Sequence, residues 1–590
     1  MKQYLVFIVL IFCFLTGCIN QEQKVKNLAS FAKVYGYVKY FHPSDEVTKI
    51  DWLKFSAYGA KEIENCRTKQ QLVNTLTSLF SPIAPSVKFI VSKSIPTYDL
   101  KSITPTNLSG YRLTHWQHLG VGTVAKNFAS RSTYSSFRVS RDTFPGDNKP
   151  FNYQPEFEKI FIVEIEEGVY CQIPMVLYCN ACLTYPRADT TQFKDLDEKL
   201  KLFDLSNERV YLKLGNVINV YNVFQHFYPY FDVVDVNWNK EFDKALNRCY
   251  TDTTAKDHLI TLQKFTAPLK DGHIAINSSI NLYYSPNISW DWIENKLVIT
   301  HVFRDDYRFH TGDVVTQING ISPEKYFEET KSLISAGTEG WLNYRADIMS
   351  LEGEENSLIK ITIAGKTYDL KRSAISYVQQ RELEDGKEPY KKLEDGIWYL
   401  NIVQFNRETF NKLLPELVKA KAIICDARGY PIAEHYFIPH LMKSDDTTRS
   451  WMQIPQIIYP DHQNVLGYAQ YNWIPIMKAQ KPYFGDKKII YVIDGSAISY
   501  AESCLGYIEG YKLATIVGQP SAGTNGNVNT VELLGGFSFR FTGMKVVKHN
   551  GSQHHGIGIL PNVYVTKTIQ GVKDGRDEFL EKAIEIARQN

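Results

Sequence analysis

The feature that most constrains this chain is an internal repeat. Residues 27–90 contain Tyr35-Gly36-Tyr37-Val38-Lys39-Tyr40-Phe41-His42-Pro43, then Asp51-Trp52 and Ser81-Pro82. Residues 213–276 contain Tyr221-Asn222-Val223-Phe224-Gln225-His226-Phe227-Tyr228-Pro229, then Asn237-Trp238 and Ala267-Pro268. The offset is constant: 229 − 43, 238 − 52 and 268 − 82 all give 186. A gapless offset over a whole segment marks a duplicated unit. Apolar positions recur with helical period up to Pro43 and Pro229, where the missing N–H stops a helix, and each copy predicts a second helix ending near Pro82 or Pro268. The copies diverge after the last proline. Leu269-Lys270-Asp271-Gly272-His273 stands where the first copy has Ile83-Ala84-Pro85-Ser86-Val87, so Val87 holds the place of His273. One copy is therefore expected to be structural and the other equipped for chemistry.

At roughly 150 residues per domain, 590 residues correspond to about four domains. Lys+Arg 66 against Asp+Glu 64 leaves +2, so no net field recruits nucleic acid, which is not expected as a partner. Hydrophobic residues at 44% and charged ones at 22% exclude a disordered or low-complexity chain. After Lys2, an apolar run over residues 4–14 leads to Leu15-Thr16-Gly17-Cys18, which resembles the bacterial lipobox. The resemblance implies a signal peptide over 1–17, a lipid on Cys18 and a polar tether over 18–26. It implies a chain anchored to a membrane of the cell envelope, with the periplasmic or surface face left open. No later stretch approaches the ~18 apolar residues of a membrane span.

Setting aside Cys13 and Cys18, seven cysteines remain of nine, an odd number that makes no disulfide framework. Cys179-Asn180-Ala181-Cys182 has redox or metal spacing but no second ligand pair, and His115 and His118 flank Trp116 without a third ligand. Packing is their expected role, with a local disulfide between Cys179 and Cys182 as the alternative. Neither a metal nor a cofactor is expected.

The repeat divides the chain. Residues 27–91 form copy one, 92–203 a β-rich segment with strand-like runs such as Lys159-Ile160-Phe161-Ile162-Val163-Glu164-Ile165, and 204–280 copy two. Residues 281–373 contain the strand Leu297-Val298-Ile299-Thr300 and then Thr311-Gly312-Asp313-Val314-Val315-Thr316-Gln317-Ile318-Asn319-Gly320. This segment resembles the PDZ pattern, in which a sheet edge captures an extended peptide, with helical character inserted over 323–346. Over 374–590, strands at 397–402, 422–425, 489–493 and 514–517 alternate with helices at 410–419 and 500–509. That alternation predicts a largely parallel, doubly covered sheet with its site at the carboxyl ends of the strands.

Two strand ends stand out, Asp426-Ala427-Arg428-Gly429 and Asp494-Gly495-Ser496-Ala497-Ile498-Ser499. Ser499 falls at the amino end of the next helix, where unpaired N–H groups favour a developing oxyanion. It is either a nucleophile there or simply the helix N-cap.

Together with Ser499-Tyr500-Ala501-Glu502, Ile516-Val517-Gly518-Gln519-Pro520, Gly556-Ile557-Gly558-Ile559-Leu560-Pro561-Asn562-Val563 and Gly575-Arg576-Asp577, these runs resemble the tail-specific (C-terminal processing) serine protease family. The resemblance covers roughly residues 204–590. It implies a multidomain α/β protein with a ClpP/crotonase-like core and a PDZ-like domain. It implies Ser499 as nucleophile, three residues before Glu502, with oxyanion donors from the backbone of Tyr500 and Gly429. The bacterial processing branch places a lysine base ~25 residues after the serine, but 499 + 25 is Thr524 and no lysine lies between Lys512 and Lys545. The tricorn-like and retinoid-binding-protein-like branch instead carries Asp-Gly-His ahead of the PDZ, matched by Asp271-Gly272-His273, which implies His273 as base. Nothing acidic lies between Glu532 and Asp574, so the third member stays open between Glu502 and Asp271. Pro431-Ile432-Ala433 stands in place of the double glycine that often follows the oxyanion strand.

The expected function is serine endopeptidase action on peptides or proteins outside the cytoplasm, with oligomerisation open. The alternative is a catalytically inactive lipoprotein that holds peptides or an apolar ligand on the same scaffold. A carbon–carbon lyase or hydratase would leave the PDZ-like segment and the export signal unexplained.

Overall fold

The computed structural model describes residues 19–589 apart from 125–132, 141–149, 154, 181–182, 281, 377, 380–387, 395, 432–435, 449–450, 463–464 and 472–475. Each repeat holds three helices, one more than the sequence pattern indicated. They are Gln21–Phe41, Trp52–Ile63 and Lys69–Phe80 in the first copy, and Arg209–Phe227, Trp238–Cys249 and Ala255–Thr266 in the second. The extra break, at 64–68 and 250–254, carries no proline, which is why apolar period alone ran through it. Under the offset of 186, the second and third helices begin and end together and the first helices end together. Their caps coincide too: Asp51 and Asn237 each accept an N–H at the start of the second helix, and Thr68 and Thr254 at the start of the third. A short polar side chain at those positions satisfies donors that the first helical turn leaves unpaired.

The two copies pack helix on helix. The Tyr35 hydroxyl donates to Asn219 Oδ1 at 2.7 Å, and Asn222 Nδ2 donates to the Ala32 carbonyl at 3.0 Å. The approach depends on Gly36, where a Cβ would lie 1.8 Å from Asn222 Oδ1 and 2.6 Å from His226 Nε2. Gly36→Ala is therefore expected to cost about 1–3 kcal/mol by overpacking, read as a lower denaturant midpoint. Phe31, Phe55 and Phe80 fill copy one, while Trp238, Phe242 and Phe265 fill copy two, all buried.

The β-rich segment does not close on itself. Its strand Arg112–Leu119 pairs with Ser135–Ser140 and Leu177–Cys179, but also with Met452–Ile457 from the C-terminal part. An edge strand left unpaired would expose a row of backbone groups, and the distant segment covers it. His118 is a satisfied core histidine: its Nε2–H donates to the Tyr40 carbonyl and Nδ1 meets Ser136 Oγ, both at 2.8 Å. Cys179 lies 3.7 Å from Ser140 Oγ. Cys182, and with it the question of a local disulfide, falls outside the described residues, as do the signal segment and Cys18.

Residues 288–371 form a five-stranded antiparallel sheet, running in spatial order Ile288–Ile293, Lys296–Val302, Val314–Ile318, Leu358–Ile363 and Lys366–Lys371. Two helices, Pro323–Lys331 and Glu339–Leu351, occupy the expected insertion.

The C-terminal sheet runs Tyr390–Glu394, Ile397–Asn401, Ala422–Asp426, Lys488–Ile493, Thr515–Gly518, Val563–Tyr564, parallel after the first pair. Helix Glu578–Arg588 covers one face by setting Phe579, Ala583 and Ala587 against Ile424, Ile490, Val492 and Val517. The opposite face shares a core with the helical repeats. A smaller sheet of Val528–Glu532, Ser538–Thr542 and Ala275–Asn277 joins copy two to this core, with Arg540 opposite Ala275 and Phe539 opposite Ile276. That register brings the 271–273 turn beside Thr542. No described helix is long and apolar enough to cross a membrane.

Candidate active site

Ser499 ends the turn after strand Lys488–Ile493 and begins helix Tyr500–Gly510 with φ +60° and ψ −114°. A non-glycine residue in that conformation is strained, and such strain persists where the surroundings hold it. Its side chain makes no capping hydrogen bond, so of the two roles open in the sequence the N-cap does not describe it. The backbone is fixed instead: Ser499 N–H donates to the Thr524 carbonyl, and its own carbonyl accepts from Ser503 N–H, both at 2.9 Å.

Thr524 connects this elbow to the Asp271-Gly272-His273 turn. Its hydroxyl accepts from Gly272 N–H at 3.0 Å while its own N–H donates to Glu502 Oε2 at 2.8 Å. The contact needs glycine at 272, since a Cβ there would meet Trp341 Nε1 at 2.8 Å and Thr524 Oγ1 at 3.0 Å. The helical insertion braces the same loops: Ser335 Oγ accepts from Asp271 N–H at 2.8 Å, and Thr338 Oγ1 donates to the Ser521 carbonyl at 3.0 Å.

The hydrogen bonds of Asp271 fix the tautomer of His273. Asp271 accepts from His273 N–H at 3.0 Å, from Thr542 N–H at 2.7 Å and from the Thr542 hydroxyl at 2.8 Å. Having given its proton to the carboxylate, the Thr542 oxygen can only accept from His273 Nδ1, 2.8 Å away. Nδ1 therefore carries the hydrogen and Nε2 the lone pair. Among the described residues, Nε2 is buried without a hydrogen-bond partner, and no bond joins it to Ser499. Burial, followed by the charge of Arg540, pushes the imidazole down to about 4, with Glu502 opposing, so the ring is neutral near pH 7.

Glu502 does not contact the imidazole through a hydrogen bond. It braces the 521–524 loop, accepting from Ser521 Oγ, from Gly523 N–H at 2.7 Å and from Thr524 N–H, with His554 Nε2 at 3.3 Å. Asp271, by contrast, reaches the ring through Thr542 Oγ1, which donates to it at 2.8 Å and lies 2.8 Å from His273 Nδ1. Beside them, His555 stacks on Tyr230 with ring centroids 3.8 Å apart.

Gly429 takes φ +119° just after Arg428. The Arg428 guanidinium forks onto Asp426 at 2.8 and 2.6 Å and onto Asp577 at 2.9 and 2.6 Å. The Asp-Ala-Arg-Gly and Gly-Arg-Asp runs, far apart in sequence, thus form one rigid corner. The Tyr430 ring lies 6.3 Å from that of Tyr500, which places the glycine loop next to the start of the Ser499 helix. Ile432 and Ala433, in the position of the double glycine, fall outside the described residues. Thr542, Thr524, Ser335 and Thr338 carried no sequence signal, because hydroxyl residues are common and only folding gives these ones their partners.

The sequence model of Peptidase family S41 matches residues 448–565, which include Ser499 and the loops around it. Fold and match together place this core in the serine peptidase class. A Carboxy-terminal-processing protease of Bartonella bacilliformis is 25% identical over 193 residues, 32% of this chain and 43% of the relative. The match thus spans less than half of the relative's length. Among solved structures, mature CPAF complexed with lactacystin covers 64% of this chain and 98% of its own, with TM-score 0.52 at 12% identity. Mature CPAF gives 63%, 96%, 0.51 and 13%. The tail-specific proteases are thus the family that residues 448–565 resemble in sequence and the core resembles in fold.

Proposed function

We propose that the chain is an endopeptidase that cleaves peptides or proteins by Ser/His acyl transfer. Ser499 Oγ attacks the scissile carbonyl, and its proton passes to His273 Nε2. The backbone N–H groups of Gly429 and Tyr500 hold the tetrahedral oxyanion, and His273 returns the proton to the leaving amine. Thr542 and Asp271 hold the ring and stabilise the imidazolium formed in the transition state. The observation that carries this is the Asp271–Thr542–His273 chain of hydrogen bonds, which leaves the Nε2 lone pair free in a neutral ring. In the absence of substrate, a base and its nucleophile often stand too far apart to bond, so the missing Ser499–His273 contact is compatible with the role.

By the same proposal, residues 281–373 act as a PDZ-like substrate-binding unit, and a lipid on Cys18 anchors the enzyme outside the cytoplasm. Peptide libraries read by mass spectrometry for new termini test the chemistry. His273→Ala is expected to lower kcat/KM by ~100-fold or more. Thr542→Val keeps the shape but removes the relay, and is expected to lower kcat by at least ~10-fold with KM little changed. Full activity in His273→Ala would end the proposal.

A further inference from the structure

The break between the second and third helices of copy two brings three donor side chains together. Cys249 ends helix Trp238–Cys249, Asp252 lies in the turn, and His258 stands near the start of helix Ala255–Thr266. Cys249 Sγ, a carboxylate oxygen of Asp252 and a ring nitrogen of His258 all lie within 4.8 Å of one another. Cys249 and His258 are buried, and the Asp252 side chain is 7% exposed. Among the described residues, neither Asp252 Oδ2 nor His258 Nδ1 has a hydrogen-bond partner. These two atoms stand 3.6 Å apart, too far to bond each other. A tetrahedral zinc ion with bonds of about 2.0–2.3 Å sets its ligand atoms about 3.3–3.7 Å apart. The spacing that fails as a hydrogen bond therefore suits two ligands of one ion. The carboxylate is already aimed, since Asp252 Oδ1 accepts from Thr261 Oγ1 at 3.0 Å, the kind of outer bond that orients a metal ligand.

The repeat supplies the comparison. Under the offset of 186, Cys249, Asp252 and His258 stand where copy one has Ile63, Cys66 and Leu72, all buried. The threonine is common to both copies: Thr75 Oγ1 lies 3.5 Å from Cys66 Sγ, as Thr261 lies beside Asp252. Packing alone thus closes this corner in copy one, while copy two fills it with donors at a cost in buried polar atoms that a bound ion offsets. We infer that Cys249, Asp252 and His258 bind a zinc ion, with water in the fourth position. Thiolate, imidazole and carboxylate form a set that selects zinc over magnesium or calcium. On binding, the Cys249 thiol releases its proton to solvent and coordinates as thiolate. Asn216 Nδ2 faces His258 Nε2 at 3.2 Å and also donates to the Leu534 carbonyl at 3.1 Å, while its Oδ1 accepts from Leu534 N–H at 2.7 Å. A metal on Nδ1 moves the ring hydrogen to Nε2 and turns this amide. Each hydrogen bond lost costs on the order of tenfold in affinity, far less than donors of this kind confer on zinc. The Lys213 ammonium donates to the Asp252 backbone carbonyl and leaves the carboxylate to the ion. The ion staples two helices, the second of which leads through Ala267–Leu269 to Asp271. None of this rests on the peptidase proposal.

The test strips the full chain of metal with a chelator and titrates it with cobalt(II), which takes the place of zinc. A near-ultraviolet charge-transfer band reports a thiolate ligand, and intense visible bands report tetrahedral geometry. Cobalt is expected to give both with a Kd of about 10 μM or tighter, and excess zinc to abolish them. Cys249→Ser should remove the charge-transfer band. Cys249→Ile combined with His258→Leu, the residues of copy one, should fold and show neither band, which keeps the test decisive if a single substitution unfolds the chain. Zinc at a hundredfold excess over Kd is expected to raise the thermal midpoint of the wild-type chain by about 5 °C and to leave that of the double variant unmoved. Cobalt spectra without a thiolate band overturn the inference, and so do weaker binding by the wild-type chain or a band that survives the double substitution. Peptide cleavage enters none of these readouts, so failure of the Ser/His chemistry leaves them unchanged.

Discussion

Ser499→Ala is expected to abolish peptide cleavage, a loss of at least ~10⁴-fold in kcat, while leaving thermal unfolding within a degree or two of wild type. The size of the effect follows from the chemistry. With no oxygen at that position no acyl intermediate forms, and the neighbouring donors alone supply only the residual catalysis of binding and oxyanion stabilisation. The small effect on folding follows from the structure, because the Ser499 side chain caps no helix and its backbone bonds to Thr524 and Ser503 do not involve the hydroxyl. Alanine at φ +60° keeps the strain of serine and adds none. The measurement pairs a peptide-library digest with calorimetry. A Ser499→Ala chain that still generates new termini at the wild-type rate would remove Ser499 as nucleophile, and a grossly destabilised one would show that the hydroxyl has a structural role the contacts do not reveal.

The second large effect is acid unfolding. His42, His118, His273 and His555 are all buried. Burial is the first cause of the downward shift in each, to about 3 for His42 and about 4 for the other three. In the unfolded chain the same rings titrate near 6.5. Between those values the unfolded state binds more protons than the folded one, so stability rises with pH and falls as the pH drops from about 6.5 toward 4. Each ring then costs about 2–3 kcal/mol at pH 4, and four together cost on the order of 10 kcal/mol, comparable with the whole stability of a typical domain. Near-ultraviolet circular dichroism is expected to show cooperative loss of tertiary structure with a midpoint between about pH 4 and 5.5. An unchanged urea midpoint at pH 4.5 and pH 7.5 would contradict it. Down to the onset of unfolding, kcat/KM should stay flat through pH 6.5, where an imidazole base with an ordinary pKa would already lose activity, because His273 remains neutral there.

Several parts of this protein were legible before folding. The repeat was visible because each copy reuses the same local code: a capping side chain at 51 and 237 and at 68 and 254, and a proline after the first helix. The alternation of strands and helices after residue 390 was visible because buried parallel strands are short continuous apolar runs; the order of those strands in the sheet came from the structure. Ser499 and the Asp-Gly-His turn were picked out by the resemblance of their motifs to the tail-specific protease family, since taken locally Ser499 was equally open to the role of a helix N-cap.

Other features depended on contacts between residues far apart in the chain. The β-rich segment shares a sheet with Met452–Ile457, a pairing no local pattern encodes. Asp271 connects to the His273 ring through Thr542, 271 residues further on, which lies beside it once Ser538–Thr542 pairs with Ala275–Asn277. The same holds for Thr524, which ties Ser499 to Gly272. Sequence alone determined the repeat, its capping positions and the alternation of strands and helices in the C-terminal part, since propensity and capping act over a few neighbours. Only the tertiary structure decided which hydroxyls and carboxylates complete the site, because a hydrogen bond is set by distance and direction in space, and residues of ordinary type acquire both only after the chain has packed.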